Sequence, residues 1–462
     1  MVFYFVQRGE TLYTIAKRYQ TTVHAIVVAN RLEDPNAICP GQALIIPRPG
    51  EVPSPPPGGI VHLVRSGETV FHLAGKFGTS PQEILRANQI AHPEFILAGQ
   101  QLVIPERMEV GDDWPMVGRA PGRSGAGPVV LEGVPTAGWS YRPRRAMGIR
   151  PSAPVIRYDR VYVGLGDGQF YSLDRQSGRV KWRVPAAGSD VLAAMGEQPL
   201  AAPAVFDGLA YLCGPDGSIF AVDAYAGHSI WKTVIGGTSA SSPAVQRGVV
   251  FVGAGDGHLY ALEAKTGAVV WRQQVGAPLL HPVALGDDHV YAVAANGVLW
   301  ALDAESGQMH WQAPADPAGS PVFAEVVVLC GGSAYDPADG SLLWQVDAGG
   351  TSPVARLDRV FYPGGVVDLF TGSLQVAHVA GPCPPVSIPP APFPLRAHVA
   401  TGPLLIGVGH DNQLHGMDAE DGHAVWSVAL SGSGHQPPAV APGQVVITLL
   451  DGSVRTYRFG PA

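Results

Sequence analysis
The 462-residue sequence has little lysine, little charge and no long apolar run, and each shortage narrows what the protein can be. Five Lys stand against 25 Arg, and the formal net charge is −8. That balance excludes a broad electrostatic surface for nucleic acid. Residues 1–105 carry 8 basic and 7 acidic side chains, and residues 106–462 carry 22 and 31, so neither part reads as a polybasic membrane binder. The four cysteines, Cys39, Cys213, Cys330 and Cys383, lie far apart with no C-x-x-C, and they read as small apolar thiols rather than a disulfide framework or zinc ligands. No segment approaches about 18 uninterrupted apolar residues, so no membrane-spanning helix is expected. The first ten residues show neither a basic n-region nor a cleavage site, and the expectation is a chain without a secretory signal.

Catalytic signatures are scarce as well. G-x-S-x-G, H-E-x-x-H and Walker sequences are absent. Gly164-Leu-Gly-Asp-Gly168 and Gly253-Ala-Gly-Asp-Gly257 are glycine-rich but sit between strand candidates, without the helix that phosphate binding needs. What the chain has in excess is Gly (58) and Pro (43), which together favour many turns and short strands.

Self-similarity organises the rest. Val6-Gln-Arg-Gly-Glu-Thr-Leu-Tyr-Thr-Ile-Ala-Lys-Arg-Tyr19 recurs as Val64-Arg-Ser-Gly-Glu-Thr-Val-Phe-His-Leu-Ala-Gly-Lys-Phe77, at an offset of 58. The repeat continues through Gly41-Gln-Ala-Leu-Ile-Ile-Pro47 against Gly99-Gln-Gln-Leu-Val-Ile-Pro105. Each copy predicts strand, helix, helix, strand. Val2 to Val6 is a short strand, and Thr11 N-caps a helix with Leu12, Ile15, Ala16 and Tyr19 on one face. Thr21 or Thr22 caps a second helix, and Ala43 to Ile46 closes the unit.

This pattern resembles the LysM domain in both copies, 1–47 and 60–105. The resemblance implies binding of N-acetylglucosamine-containing glycans of the peptidoglycan or chitin type. It places the sugar between the first strand–helix loop and the loop before the last strand. Those positions are Gly9, Glu10, Thr11 and Leu12 with Ile38, Cys39, Pro40 and Gly41, then Gly67, Glu68, Thr69 and Val70 with Ile96, Leu97, Ala98 and Gly99. Backbone groups there suit an acetamide and apolar side chains its methyl. Leu12, Val70, Ile38 and Ile96 fit the core equally well. Neither copy contains Trp, so a stacking platform is missing and weak single sites are expected. Two linked sites on one strand raise avidity by roughly 10²–10⁴. Residues 48–59, with Pro55-Pro56-Pro57, read as an extended spacer, or as a proline-rich recognition motif.

A second repeat fills the C-terminal part. Asp or Glu, then Gly four residues on, then Trp four further, appears as Asp174, Gly178, Trp182 and as Asp223, Gly227, Trp231. It continues as Glu263, Gly267, Trp271; Asp303, Gly307, Trp311; Asp336, Gly340, Trp344; a degenerate Asp368, Gly372, Val376; and Asp418, Gly422, Trp426. Each unit holds four strand candidates joined by Asp-Gly and Asp-x-x-x-Gly turns. Trp139 precedes the first full unit, and Val445 to Tyr457 lacks an outer strand. Joining these halves predicts an eight-bladed all-β propeller over 137–460, closed by N- and C-terminal strands, after a lead-in at 106–136.

The array resembles the PQQ-type propeller repeat, which has an enzymatic quinoprotein branch and a non-catalytic scaffold branch. The enzymatic branch implies a quinone over Ca²⁺, an acidic ligand set and a vicinal disulfide. Short units and the absence of a Cys-Cys pair favour the scaffold branch, and no catalytic residue, metal or cofactor is assigned. Asp167, Asp216, Asp256 and Asp451 read as hairpin residues, and His410, His415, His423 and His435 fit no zinc spacing. Residues 185–200 and the proline-rich 381–397 stand out as insertions, the latter as a partner contact or a plain connection. The expected protein is a non-enzymatic envelope scaffold. By resemblance to LysM-bearing spore and wall proteins, it is placed in a spore envelope or cell wall, with an unknown protein partner and possible self-association. A quinoprotein-like or glycan-cleaving enzyme, and a cytoplasmic binding protein whose LysM modules lost sugar binding, are the alternatives.

Overall fold
The computed structural model describes residues 2–6, 11–19, 26, 43–46, 59–64, 73, 101–105, 126–127, 131, 133–144, 147–237, 241–286, 288–324, 327–346, 353–356, 359–362, 365–369, 395–401, 403–419 and 423–460. The chain divides into two compact units, Met1–Val110 and Gly111–Ala462.

In the smaller unit, Val2–Phe5 pairs antiparallel with Ala43–Ile46, and Gly59–Leu63 pairs with Gln101–Pro105. The helix Leu12–Arg18 begins where the sequence places its cap. Val6, Ile15, Ala16, Ile26 and Leu44 form a core, flanked by Tyr4 and Tyr19 in edge-to-face contact at 5.3 Å. The 58-residue offset carries Val6, Ile15 and Leu44 onto Val64, Leu73 and Leu102, which are likewise buried. The two copies therefore use one packing scheme.

The larger unit is a propeller-like array of antiparallel sheets. The first contains Val155–Arg157, Arg160–Gly164, Gln169–Asp174 and Val180–Pro185, paired in chain order. Four-stranded sheets of the same order follow at 204–234, 244–274, 284–314 and 322–345. The sixth shows three strands, Val354–Arg356, Arg359–Tyr362 and Gly365–Asp368. The seventh runs from Leu395–Thr401 to Ala424–Ala429. The eighth combines Ala439–Ala441, Gln444–Thr448 and Val454–Arg458 with Thr136–Tyr141 from far upstream, through pairs such as Arg455↔Ser140. Alternation explains the layering. Second and third strands such as Arg160–Gly164 and Ser218–Asp223 are buried along nearly their whole length, sandwiched between neighbouring sheets, whereas fourth strands alternate around a buried Trp.

The lead-in differs from the sequence reading, which keeps 106–136 outside the array. Ala126–Gly127 adds a fifth, parallel strand to the inner edge of the seventh sheet, at Ala400↔Ala126 and Thr401↔Gly127. Leu131 is buried in the core that joins the first and eighth sheets. An apolar residue in a glycine-rich stretch carries no periodicity, so this anchor is invisible to pattern reading. The insertion at 185–200 forms the helix Ser189–Met195, whose Leu192 lies over Gly168. Of the second insertion, 381–394 lies outside the described residues; Leu395 to Ala397 begin the seventh sheet.

Candidate functional site
Thr11 and Leu12 are the predicted glycan-contacting positions that fall within the described residues. Thr11 sits in extended backbone (φ −121°, ψ 159°), and its hydroxyl accepts from the Thr14 N–H at 3.3 Å. The Thr14 hydroxyl in turn accepts from the Thr11 N–H at 3.0 Å, a reciprocal cap that fixes the loop-to-helix junction. Thr11 is exposed, and Leu12 is the first helical residue. Gly9, Glu10, Ile38, Cys39, Pro40, Gly41, Gly67, Glu68, Thr69, Val70, Ile96, Leu97, Ala98 and Gly99 lie outside the described residues. The sheet register constrains where the predicted walls attach. Phe5 and Ala43 are Cα partners, and so are Leu63 and Gln101, so in each copy the segments bearing the two walls leave the same end of the sheet.

In the larger unit the acidic and tryptophan positions act locally. Trp182 Nε1 donates to the Ala224 carbonyl at 2.9 Å, Trp231 to Ala264 at 2.9 Å, and Trp271 to Ala304 at 3.1 Å. Trp311 reaches Pro337 at 2.8 Å and Trp344 reaches Leu369 at 2.8 Å. Each acceptor directly follows the motif acid of the next sheet. Trp139 on the upstream strand does the same toward Arg175 of the first sheet, at 2.7 Å. The motif acids cap their own turns: Asp303 accepts from the N–H and hydroxyl of Ser306, which hold its carboxyl below the usual range.

The Asp-Gly carboxylates are equally engaged. Asp167 accepts from the Tyr171 hydroxyl (2.6 Å), Asp256 from Tyr260 (2.7 Å), and Asp451 from Ser453 (2.5 Å). Asp216 accepts from the Ser218 hydroxyl and from its N–H at 3.0 Å. Among the described residues no group of three or more His, Cys, Asp or Glu side chains converges as a metal site. His415 is buried against Asp411 at 3.0 Å, whereas His410, His423 and His435 are exposed. Cys213 and Cys330 are buried thiols, and Cys39 and Cys383 lie outside the described residues.

One set of polar residues escaped sequence reasoning. Polar groups on the segments leading into the innermost strands link neighbouring sheets: the Ala202 N–H donates to Ser242 Oγ at 2.9 Å, and the Ser152 carbonyl accepts from the hydroxyl of Thr448, on the second strand of the eighth sheet, at 3.0 Å. Ser320 Oγ lies 3.4 Å from His281 Nδ1. The signal was a recurrent Ser-Pro or His-Pro, as in Ser242-Pro243, His281-Pro282 and Ser320-Pro321.

Comparison with known proteins agrees with both halves. Residues 136–242, 215–363 and 331–459 match the family model described as outer membrane protein assembly factor BamB. Residues 4–47 and 62–105 match the LysM domain model. The secreted LysM effector ELP2 of Colletotrichum higginsianum is 31% identical over 113 residues, 22% of this chain and 64% of that protein. N-acetylmuramoyl-L-alanine amidase XlyA of Bacillus subtilis is 39% identical over 77 residues, 15% of this chain and 26% of the amidase. The chain thus spans less than two thirds of these relatives. The solved structure of BamB from Moraxella catarrhalis superposes with a TM-score of 0.54 at 16% identity, over 71% of this chain and all of that one. Quinohemoprotein alcohol dehydrogenase from Comamonas testosteroni gives 0.58 at 13% identity, over 82% and 84% of the two chains. At these identities the likeness is one of fold.

Proposed function
Because the chain belongs to the family described as outer membrane protein assembly factor BamB, and carries two LysM domains ahead of it, we propose that it is a glycan-tethered scaffold. The LysM pair grips an N-acetylglucosamine polymer of the peptidoglycan or chitin type, and the propeller presents a protein-docking surface. The observation that carries the tether is the strand–cap–helix junction of the first copy, with Thr11 at the start of the predicted groove, together with the same core positions buried in both copies. The relatives support this reading through what their names say of them: an effector built on LysM domains and a wall amidase. A place at a cell wall or spore envelope follows from the same reading.

The propeller is an eight-bladed ring, supported by the pairing of Val454–Arg458 with Thr136–Tyr141 and by the Trp139 bond onto the first sheet. Its role is non-catalytic. A quinone over a divalent cation, which the enzymatic members of this fold carry, needs several convergent oxygen donors. Here the Asp-Gly carboxylates are turned onto their own hairpins, so these residues do not fit that group, and no reaction step is assigned to it.

Retention of the full chain on insoluble peptidoglycan and chitin, released by soluble N-acetylglucosamine oligomers, tests the tether. Absence of retention on both polymers refutes it. Turnover of an alcohol after addition of quinone and Ca²⁺ refutes the non-catalytic reading.

A further inference from the structure
Charge is strongly sorted around the propeller. Residues 136–185 and 444–460, which build the first sheet and most of the eighth, contain twelve Lys or Arg and four Asp or Glu. The stretch 186–443 contains seven and twenty-two. Within it, 273–355, spanning the fourth and fifth sheets, has no Lys or Arg and nine Asp or Glu.

The fold turns this sorting into two poles. The inner strand Ala439–Ala441 lies against Val155–Arg157, so the eighth and first sheets are neighbours. From Val155–Arg157 the inner strands touch in chain order through 204–206, 244–246, 284–285, 322–324 and 354–356. On the closed-ring reading above, on which this inference rests, the fifth sheet is four steps from the first in either direction, and the fourth is four steps from the eighth. The basic and acidic poles are then diametrically opposed.

Both poles are exposed. Arg142, Arg144, Arg179, Lys181, Arg183 and Arg458 reach solvent at the basic one. Lys181 pairs with Asp174 at 3.2 Å, while Arg179 and Arg183, on the same outer strand and the turn before it, face no carboxylate within ion-pair distance among the described residues; Arg142 and Arg144 lie at the opposite end of the sheets. At the acidic pole Glu305 and Asp339 are exposed, and the Ser341 N–H holds the Asp339 carboxyl ionised below its usual range. Each pole also has an apolar centre on its outer edge strands. Leu342, Leu343 and Met309 are exposed at the acidic pole, and Val180 is exposed at the basic one.

We propose that the propeller binds a second copy of itself head to tail, the Arg179–Arg183 edge of one copy seating on the Glu305–Asp339 edge of the next. Charge complementarity selects this occupant, since one chain supplies both signs around matching apolar strips. Such a contact is heterologous, and with poles half a turn apart it extends as an open row rather than closing as a ring. A row fits a protein whose tether follows a linear polymer.

Sedimentation velocity of the full chain tests it at ionic strengths of ~20 mM and ~500 mM, which screen exposed pairs differently. The expected result is concentration-dependent assembly at low salt and monomer at high salt. The double variant Arg179→Glu, Arg183→Glu and the double variant Glu305→Lys, Asp339→Lys each weaken assembly by about tenfold or more, with unchanged circular dichroism. Mixing the two variants restores it, because each now carries two like poles of opposite sign. Monomer at both ionic strengths overturns the proposal, as does failure of the mixture to assemble. Retention on immobilised polyglutamate by a chain that stays monomeric reassigns the basic pole to a polyanion and also overturns it. The ring reading fails separately, through the seam disulfide of the Discussion.

Discussion
At the scale of single residues, the molecule is governed by one contact repeated around it, an indole laid on a glycine. Gly267 has φ +72°, and a Cβ there meets the Trp231 ring at 2.4 Å, while Trp231 also donates to Ala264. Gly267→Ala therefore suffers both left-handed strain and overlap, and is expected to destabilise by about 1–3 kcal/mol. Trp231→Ala costs about 3–5 kcal/mol through the cavity it leaves. The two residues touch, so the double variant should lose less than the sum, with a coupling of about 0.5–3 kcal/mol in a urea-unfolding cycle. Additive losses would mean the ring and the glycine do not bear on each other. His398 supplies the pH dependence. Burial in the inner strand of the seventh sheet pushes its imidazole pKa below the ordinary 6.5, only partly opposed by the Phe361 carbonyl at 3.4 Å. The unfolded chain binds that proton more readily, so stability is full above the unfolded value and falls as pH drops through it. Stability curves between pH 7 and 5 should slope downward for the native chain and flatten in His398→Gln. An unchanged slope would place the acid sensitivity elsewhere.

At the scale of elements, the sequence was legible wherever a local rule sets the backbone. Thr11 capping Leu12–Arg18, the closing strand Ala43–Ile46 and the hairpins around Asp-Gly all follow from short-range chemistry. The sugar-facing groove cannot be read in this way. Gly9 or Ile38 acquires a sugar-facing role only through the resemblance, since a groove is defined by two loops about thirty residues apart and not by either loop alone. The strand Ala126–Gly127 was illegible for a related reason: two small residues gain their place from the seventh sheet and carry no pattern of their own. The outer strands show a rule that pattern reading also passes over. All six fourth strands described from the first sheet to the seventh, together with the strand pairing of the eighth, slip register beside the Trp, as at Ala261/Leu262 and Ala301/Leu302. Such bulges twist an exposed edge away from foreign strands, which the apolar Val269 and Val270 would otherwise invite. The capping rule yields the next prediction. Thr11→Val removes the side-chain acceptor and should cost the first LysM unit about 1 kcal/mol. Retention on peptidoglycan should then weaken without vanishing, because the second copy still binds, and should vanish when Thr69→Val is added. Full retention by the double variant would separate these junctions from glycan binding.

At the scale of the whole molecule, the eighth sheet is the place where covalent continuity stops and pairing alone must hold. The first five sheets pass from third to fourth strand through their own turns, and the preceding Trp docks on each. In the eighth, the strand beside Val454–Arg458 is Thr136–Tyr141, from over three hundred residues upstream, so no hairpin turn joins the two. The consequence is visible at Trp426, whose buried Nε1 has no hydrogen-bond partner among the described residues and whose ring instead meets Phe459 at 5.3 Å. The seam is rebuilt from side chains: Arg458 donates to the Gln176 carbonyl at 2.6 Å, Gln444 to Arg175 at 3.0 Å, and Thr456 to Trp139 at 3.1 Å. On the proposed closed-ring reading, a covalent bond across this strand pair should restrain the unfolded chain through a very long loop. Ser140 and Arg455 are Cα partners. Cysteines placed at both positions are expected to raise stability by about 5 kcal/mol in the oxidised over the reduced form, the chain-entropy value for a loop of that length, lowered by any strain in the bond. Thermal unfolding under oxidising and reducing conditions reads the difference. If the pair fails to oxidise, or oxidises without raising the midpoint, then Thr136–Tyr141 does not close the ring.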